Sequence, residues 1–585
     1  MNCMEIQKRI TASKYFAFLF LCLPALFFSL FIQLFSTNSI LLSFSIPAQT
    51  LNMVFAVIPL VVSILLYVDF KGKDHASHPN LYLVLAFFSF AFLIFHSLYF
   101  SMLYDDAFIS FRYVRNLLNG HGLVFNPGEY VEAYSNLLWV LMIGFLSFLL
   151  KPFGVGISLV SLFLSFISAA ILVTMVKRYF TELSFIQGYY YYVPLLAVNT
   201  FFAFWLYGGI ETIAFSAALT SAYCLLLGKS NRSLPWVFAM LILLRVDGFV
   251  YWIIFIVSMM IDRLADKNRP HLFAWLRNHR RVFMIPAFVF LSQVIFRLLY
   301  YGYPMPNTFY AKVGAGLPAK IGSGLEYIGN FYQINGALLL TFIVLFFFLE
   351  KRISGRLILT PLLAFSVLYI VYLGGDSLIH FRFLTHLIPL FLLVPILLVE
   401  YLSRQLKLPG LKLVYLVFIF IFFFQGNHGL FISLKNQFKG WYPLEQAKQE
   451  YEATYLLGNY FAHKYPEKSI ALGAIGIIPF VAERMQVIDI LGLADTHVAH
   501  LKEDKIDFHI GHNKWDIDHV LSLRPHIIIP PNYMFAKPPR KEEINNQALL
   551  YGADLIKSAA FNTNYLPRTR SAGNTHFLYF RRIAD

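Results

Sequence analysis

Asp105 and Asp106 stand side by side in "YDDAFISFRYVRNLLNGHGLVFNPGEYVEAYSN", directly after a run of apolar residues. A carboxylate held where lipid meets water can take the proton from a hydroxyl as that hydroxyl attacks. The pair also opens a helical pattern, where one carboxylate can cap the first turn and the other favours the positive end of the helix dipole. One aspartate per role satisfies both readings. Further along, short polar motifs interrupt apolar sequence: "GGIET" with Glu211, "LRVDG" with Arg245 and Asp247, "YYGYPMPNTFYAK" with Lys312, and "GGDSLIHFRF" with Asp376 and Arg382. Arg245 and Asp247 are spaced for a local ion pair. His386, on an apolar stretch, reads as a packing residue.

Elements must hold these groups. After Asp106, Phe108, Phe111, Val114 and Leu118 share one helical face, and Arg112, Arg115, Asn116 and Asn119 share another. That pattern predicts an amphipathic helix lying on the membrane surface. "NGHG", with His121 between glycines, ends it, and "NPGE" makes a turn.

The 585 residues are 58% hydrophobic and only 14% charged, with a mean hydropathy of +0.62. A soluble domain carries about 25% charged residues, so the chain reads as a polytopic membrane protein. Apolar runs predict about thirteen spans, near 14–36, 51–69, 81–104, 155–176, 186–206, 211–228, 234–244, 249–262, 282–300, 334–350, 357–373, 384–402 and 411–425. The first is read as an uncleaved span rather than a signal peptide, because its apolar run is too long for one. The stretch 136–150 is too short to cross and is expected to lie in the interface. On that reading 21 of the basic residues before 427 fall on one side, against 8 elsewhere. That is the bias expected of cytoplasmic loops. The net charge of +15 is thereby explained without a nucleic-acid partner. The N-terminus is then cytoplasmic, and every polar motif named above lies on the outer side. The three cysteines, Cys3, Cys22 and Cys224, make no disulfide framework.

Composition changes after about residue 426. The chain reads as residues 1–426, a multi-pass transmembrane catalytic domain with a juxtamembrane loop at 105–153, followed by residues 427–585, a soluble extracytoplasmic α/β domain. "SIALGAIGIIPF" and "QVIDILGLAD" are strand-then-loop units, and "HIIIPP" and "HFLYFRR" have strand character. "GAIG" lacks the full dinucleotide fingerprint. Asp489, Asp495, His497, His512 and Lys514 fall in expected loops, where they serve either acceptor contact or the scaffold.

From about residue 81 onward the sequence resembles the GT-C superfamily of polyprenyl-phosphate-sugar glycosyltransferases. More narrowly, it resembles their cell-wall arabinofuranosyltransferases and bacterial relatives. "DDAFISFRYVRNLLNGHGLVFNPGEYVEAYSNLLW" carries the likeness, and "GGIET", "LRVDG", "PNTFYAK", "GGD" with "FRF", and "VIDILGLAD" follow in the family's order. "LRVDG" departs from the more usual Arg-Pro-(Asp/Glu)-Gly, and the first two spans are an addition to the usual core. The resemblance implies a GT-C-like multi-pass protein of the bacterial inner membrane. It would move a sugar, arabinofuranose in the narrower likeness, from a polyprenyl phosphate to a hydroxyl of a glycan, lipid or protein acceptor. Asp105 is the first candidate base, with Asp106 as its partner or a metal ligand. Arg382 and Lys312 are candidates for the donor phosphate; for Arg382 the other reading is a pair with Asp376 or a side chain reaching to the interface. Glu211, His121, Asp376 and His512 are candidates for substrate contact, and Glu211 serves equally as a helix cap. A divalent cation on Asp105, Asp106 and Asp376 fits the superfamily, though no spacing marks a metal site. The alternative reading is a transporter or flippase of a lipid-linked precursor. That predicts matched broken helices in two halves, which the sequence does not show.

Overall fold

The computed structural model describes residues 79–227, 232–266, 271–312, 316–332, 346–347, 349–352, 356–376, 378, 380–406, 444–502, 513–545, 549–572 and 575–583. The expected spans at 14–36, 51–69 and 411–425, most of that at 334–350, the boundary at 426/427 and His512 lie outside the described residues. The chain forms two compact units, Met1–Phe92 and Leu93–Asp585. The helix Pro79–Phe100 begins in the first, and the second holds the remaining described elements.

Among the described residues three helices are long and apolar enough to cross a membrane: Ile157–Glu182, Gly248–Ala265 and Arg280–Tyr301. The chain from Ala86 to Leu118 passes the same test only as a bent pair, with a 92° turn between Phe100 and Asp105. Other apolar stretches form shorter helices, so the expectation of about thirteen spans is met only in part. Leu234–Leu244 has 11 residues. At about 1.5 Å per residue it reaches roughly half of a hydrocarbon core about 30 Å thick. The expected span at 186–206 is split at Asn199, whose side chain accepts from Phe202 N–H and starts the helix Thr200–Tyr207. On Arg280–Tyr301, Met284, Phe288, Leu291, Ile295 and Leu299 are exposed at helical spacing, an apolar outer face of the kind lipid covers. Leu137–Leu150, at 14 residues, is shorter than a span, as expected, and exposes Leu141, Phe145, Phe148 and Leu149.

The helix Asp105–Leu118 forms where expected, but its polar face does not lie open to water. Ser110, Arg112 and Asn116 are buried. Two parts of the chain cover it: the C-terminal α/β region, whose segment from Ile477 to Met485 supplies carbonyls to Arg112, and the following loop, where Asn116 donates to Val124 C=O and Phe125 C=O and Ser110 bonds to Asn136.

Among the described residues the C-terminal region carries one mixed six-stranded sheet. β1 (Ser469–Leu472) pairs in parallel with β2 (Gln486–Asp489) and with β3 (Ile527–Ile528). β6 (Thr575–Arg582) runs antiparallel to β3, to β4 (Met534–Phe535) and to β5 (Tyr565–Ala572). All four expected strand segments are present. β4 and β5 had no sequence signal, since β4 is two residues long and β5 carries Pro567. Ala471, Ile488, Trp515, Ile528, Leu555 and Phe580 belong to one apolar core. The open edge of β2 is covered by Asn126, whose amide accepts from Val487 N–H and donates to Val487 C=O, as a neighbouring strand would.

The loop leaving β2 is held by Asp489, whose carboxylate accepts from Leu491 N–H at 3.0 Å and Ala494 N–H at 2.7 Å. Burial outweighs these bonds and pushes its pKa up to about 7. Between about pH 4 and that value the folded chain keeps a proton that the unfolded chain releases. The stability from this group is therefore greatest at low pH and is lost as pH rises through the window. The thermal midpoint of the full chain in detergent should fall between about pH 5 and about pH 7.5, and Asp489→Asn should flatten that fall.

Candidate functional site

A cavity of about 380 Å³ gathers the polar motifs. Its wall includes Asp106 and Ser110 of the Asp105–Leu118 helix, Asn136, Glu211, Arg245, Asp247, Lys312, Lys320, Tyr372, Asp376, Arg382, and Leu493 from the loop after β2. The carboxyl end of a parallel strand is a common place for a ligand site, and here that end of β2 closes a cavity built mainly from the helical part.

Four carboxylates line the cavity, and three of them are already engaged. Asp376 receives Arg382 Nε at 2.8 Å and Nη2 at 3.0 Å. Asp247 receives Arg245 Nε at 2.8 Å and Nη2 at 3.2 Å, the local pair expected from the spacing. Glu211 takes Arg245 Nη1 at 2.8 Å on one oxygen and Asn136 Nδ2 at 2.7 Å on the other. Asn136 continues the chain to Ser110. Asp106 is different. Among the described residues its carboxylate accepts no hydrogen bond, is 36% exposed, and has only Arg382 Nη1 at 4.0 Å. On the cationic side the two arginines are spent on carboxylates. The side chains of Lys312 and Lys320 make no hydrogen bond or ion pair among the described residues. Lys312 is exposed at the wall of the cavity. Desolvation there, with Arg382 nearby, lowers the pKa of its ammonium against the pull of Asp106 and Asp376.

Local backbone explains why these residues arrive together. Gly248 ends "LRVDG" because a Cβ there would strike the Leu241 carbonyl. The tight return lets Arg245 and Asp247 meet without the proline usual at this motif. Before Arg382, His380 (φ 62°) and Phe381 (φ 49°) are both left-handed, at a cost of about 1–2 kcal/mol each. The Phe381 ring secures the turn by packing on Phe201, Tyr327 and Phe331, with ring centroids 5.2, 5.1 and 5.5 Å away.

The structure divides the aspartate pair. Asp105 turns from the cavity and accepts Gly476 N–H at 3.1 Å and Ile477 N–H at 2.8 Å. Burial pushes its pKa up to about 6 against those bonds. Of the other expected residues, Asp106, Glu211, Lys312, Asp376 and Arg382 reach the cavity, and Arg382 takes the Asp376 pairing anticipated for it. His121 is exposed and does not line the cavity. Asp489 and Lys514 are buried in structural bonds, and Asp495 caps the helix Thr496–Ala499. His386 is buried against Phe215 at 4.8 Å, as a packing residue. Lys320, Ser110 and Asn136 escaped sequence reading. Lys320 left one signal, a lone cation in the apolar helix Leu317–Phe331 that follows "PNTFYAK". The carboxylates offered for a divalent cation do not fit one. Asp105 is held by main-chain N–H groups and Asp376 by Arg382, and no cluster of three metal-type side chains occurs among the described residues.

Residues 442–579 match a family described as a domain of unknown function, DUF8728. No curated protein matches the chain. Among solved structures it is similar to ArnT from Cupriavidus metallidurans bound to undecaprenyl phosphate, at 10% identity and a TM-score of 0.48, over 86% of this chain and 98% of that one. It is also similar to ArnT from the same organism in the apo state, at 11% identity and a TM-score of 0.46, over 91% of this chain and 98% of that one.

Arg245 is the hub of the buried network, so its loss leaves Glu211 and Asp247 without their cation. Arg245→Ala should destabilise the protein by about 3–5 kcal/mol, read as a lower thermal midpoint in detergent. Arg245→Lys, which keeps charge but not the forked geometry, should fall between.

Proposed function

We propose that this protein is a membrane glycosyltransferase of the GT-C type, moving a sugar from a polyprenyl phosphate to an acceptor hydroxyl on the outer side of the bacterial inner membrane. One observation carries the reading. In a cavity where every other charged group has a close partner, one carboxylate, Asp106, and two amines, Lys312 and Lys320, are left uncommitted among the described residues. A base and an anion-binding pair are what the transfer needs.

The acceptor oxygen attacks the anomeric carbon while its proton passes to Asp106. The bond from that carbon to the phosphate oxygen breaks, and its electron pair leaves with the lipid phosphate. Lys312 and Lys320 neutralise that charge. Arg382, held to Asp376 through Nε and Nη2, keeps Nη1 toward Asp106 and the cavity. The base is thus Asp106 rather than Asp105, the first candidate from sequence, because Asp105 is occupied. Glu211, bonded on both oxygens, shapes the wall of the cavity. Arabinofuranose is the sugar suggested by the sequence resemblance, with a glycan, lipid or protein as acceptor. No step is assigned to a metal ion.

Purified protein incubated with a panel of radiolabelled polyprenyl-phosphate sugars and membrane extract tests this directly. Asp106→Asn should lower kcat by about 10²- to 10⁴-fold. Lys312→Met should raise the donor KM and, because charge on the departing phosphate grows in the transition state, lower kcat as well. Transfer that persists in Asp106→Asn would remove the proposed base and the reading with it.

A further inference from the structure

The C-terminal α/β region touches the site at two places, and both contacts run through main-chain groups at the carboxyl ends of parallel strands. After β1, Gly476 and Ile477 donate N–H groups to Asp105, the neighbour of Asp106. The short helix Ile477–Val481 begins there, and its other end is gripped by the same partner helix. Arg112 Nη1 donates to Pro479 C=O and Nη2 to Met485 C=O. Arg115 donates to Phe480 C=O, pairs with Glu483 at 3.2 Å, and lies 3.7 Å over the Phe480 ring. Gly476 lies so close that a Cβ there would overlap the main chain and carboxyl of Asp105.

After β2, the loop carbonyls of Gly492, Leu493 and Asp495 all accept from Asn307 Nδ2, at 2.8, 3.0 and 3.1 Å. Asn307 N–H is bonded to Glu132 C=O at 3.0 Å. Asn307 opens the helix Asn307–Lys312, whose last residue is one of the two cavity amines that make no hydrogen bond or ion pair among the described residues. The same helix is held at Tyr310, where Lys514 Nζ donates to its carbonyl at 3.0 Å and His500 packs on its ring at 4.3 Å.

We infer that the α/β region is a working half of the site: its β1 loop positions Asp106 through Asp105, and its β2 loop positions Lys312 through Asn307. This rests on the transfer reaction proposed above and assigns no substrate contact to Asp105 or Asn307, which are positioning residues. A region that only recognised the acceptor would leave attack by water unaffected. A region that positions the base and the phosphate cation must affect attack by water and by acceptor alike.

The test uses the full chain and compares donor hydrolysis with sugar transfer. Gly476→Ala should lower kcat for both reactions together by about tenfold to a hundredfold, with donor KM little changed. Asn307→Leu should raise donor KM for both. Arg115→Met, on the half-exposed side of the contact, is the milder variant should Gly476→Ala misfold, and should lower both rates several-fold. In a double-mutant cycle, Asp105→Asn added to Gly476→Ala should bring little further loss, since both act on one contact. A large further loss would make Asp105 the reacting group and overturn the assignment. Loss of transfer with hydrolysis intact would overturn it in favour of acceptor recognition. Should the wild-type protein neither transfer nor hydrolyse any donor in the panel, the proposed reaction fails. Placement is then decided by competitive amine labelling read by mass spectrometry. Asn307→Leu should change the labelling rate of Lys312 several-fold and leave that of exposed Lys177 unchanged; an unchanged Lys312 would refute the placement.

Discussion

The structure depends on a charge arrangement along one helix. Asp105 meets the N–H groups at the start of the helix Ile477–Val481, and Arg112 and Arg115 meet carbonyls at and beyond its end. Negative charge at the positive end of a short helix and positive charge at its negative end is the favourable sense of both interactions. The donors and acceptors are also those a helix leaves unsatisfied at its termini. The contact thus satisfies groups that water would otherwise have to reach. Burial raises the pKa of Asp105 even so. The carboxylate is therefore held by geometry rather than by a favourable medium, and its two N–H donors are what compensate for its lost hydration.

A second arrangement inside the cavity separates structure from chemistry. Glu211 and Asp247 share Arg245, and Asp376 takes two donors of Arg382. Leaving either guanidinium without its carboxylates, or the reverse, would expose a buried charge to a low-dielectric wall. These groups keep the wall in one shape. Asp106, Lys312 and Lys320, which make no hydrogen bond among the described residues, can change partner without dismantling the fold. The transfer proposed above needs both classes: fixed pairs to keep the cavity open, and loose charges to meet a charged headgroup.

Much of this was legible in sequence. The helix starting at Asp105, its end at "NGHG", the Arg245–Asp247 pair and the Arg382–Asp376 pair all follow from spacing a few residues long. The parallel strands β1 and β2 were visible as apolar runs ending in glycine-rich loops. What was hidden was long-range. Nothing local says that Arg112 and Arg115 on the helix Asp105–Leu118 are covered by residues more than 360 positions away, so a surface helix was the natural expectation. For the same reason sequence could not tell which aspartate of the pair is free, since Gly476 decides it from the far end of the chain. Lys320 was missed because a single cation in an apolar helix has the same pattern whether it faces a cavity or a headgroup. The span count was the weakest reading. Hydropathy sees the apolar content of Leu234–Leu244 and of the helices on either side of Asn199, but not the short breaks that keep them from crossing alone.

The joint between the helical part and the sheet also explains why its side chains are so often amides and arginines. Asn126 pairs with the main chain of β2, and Asn307 with three carbonyls of the loop after that strand. Arg112 spans from Phe125 C=O in its own juxtamembrane loop to Met485 C=O just before β2. Side chains that bond to main chain read backbone position rather than the identity of the opposing residue. A contact built this way tolerates sequence change on the sheet side while it resists any shift of the strand ends. For a cavity whose free carboxylate and free amine are carried on separate helices, that is the useful property. Each helix is tied to the loop of one of two neighbouring parallel strands, and the spacing of such strands, about 4.8 Å, is one of the least variable lengths a protein can build.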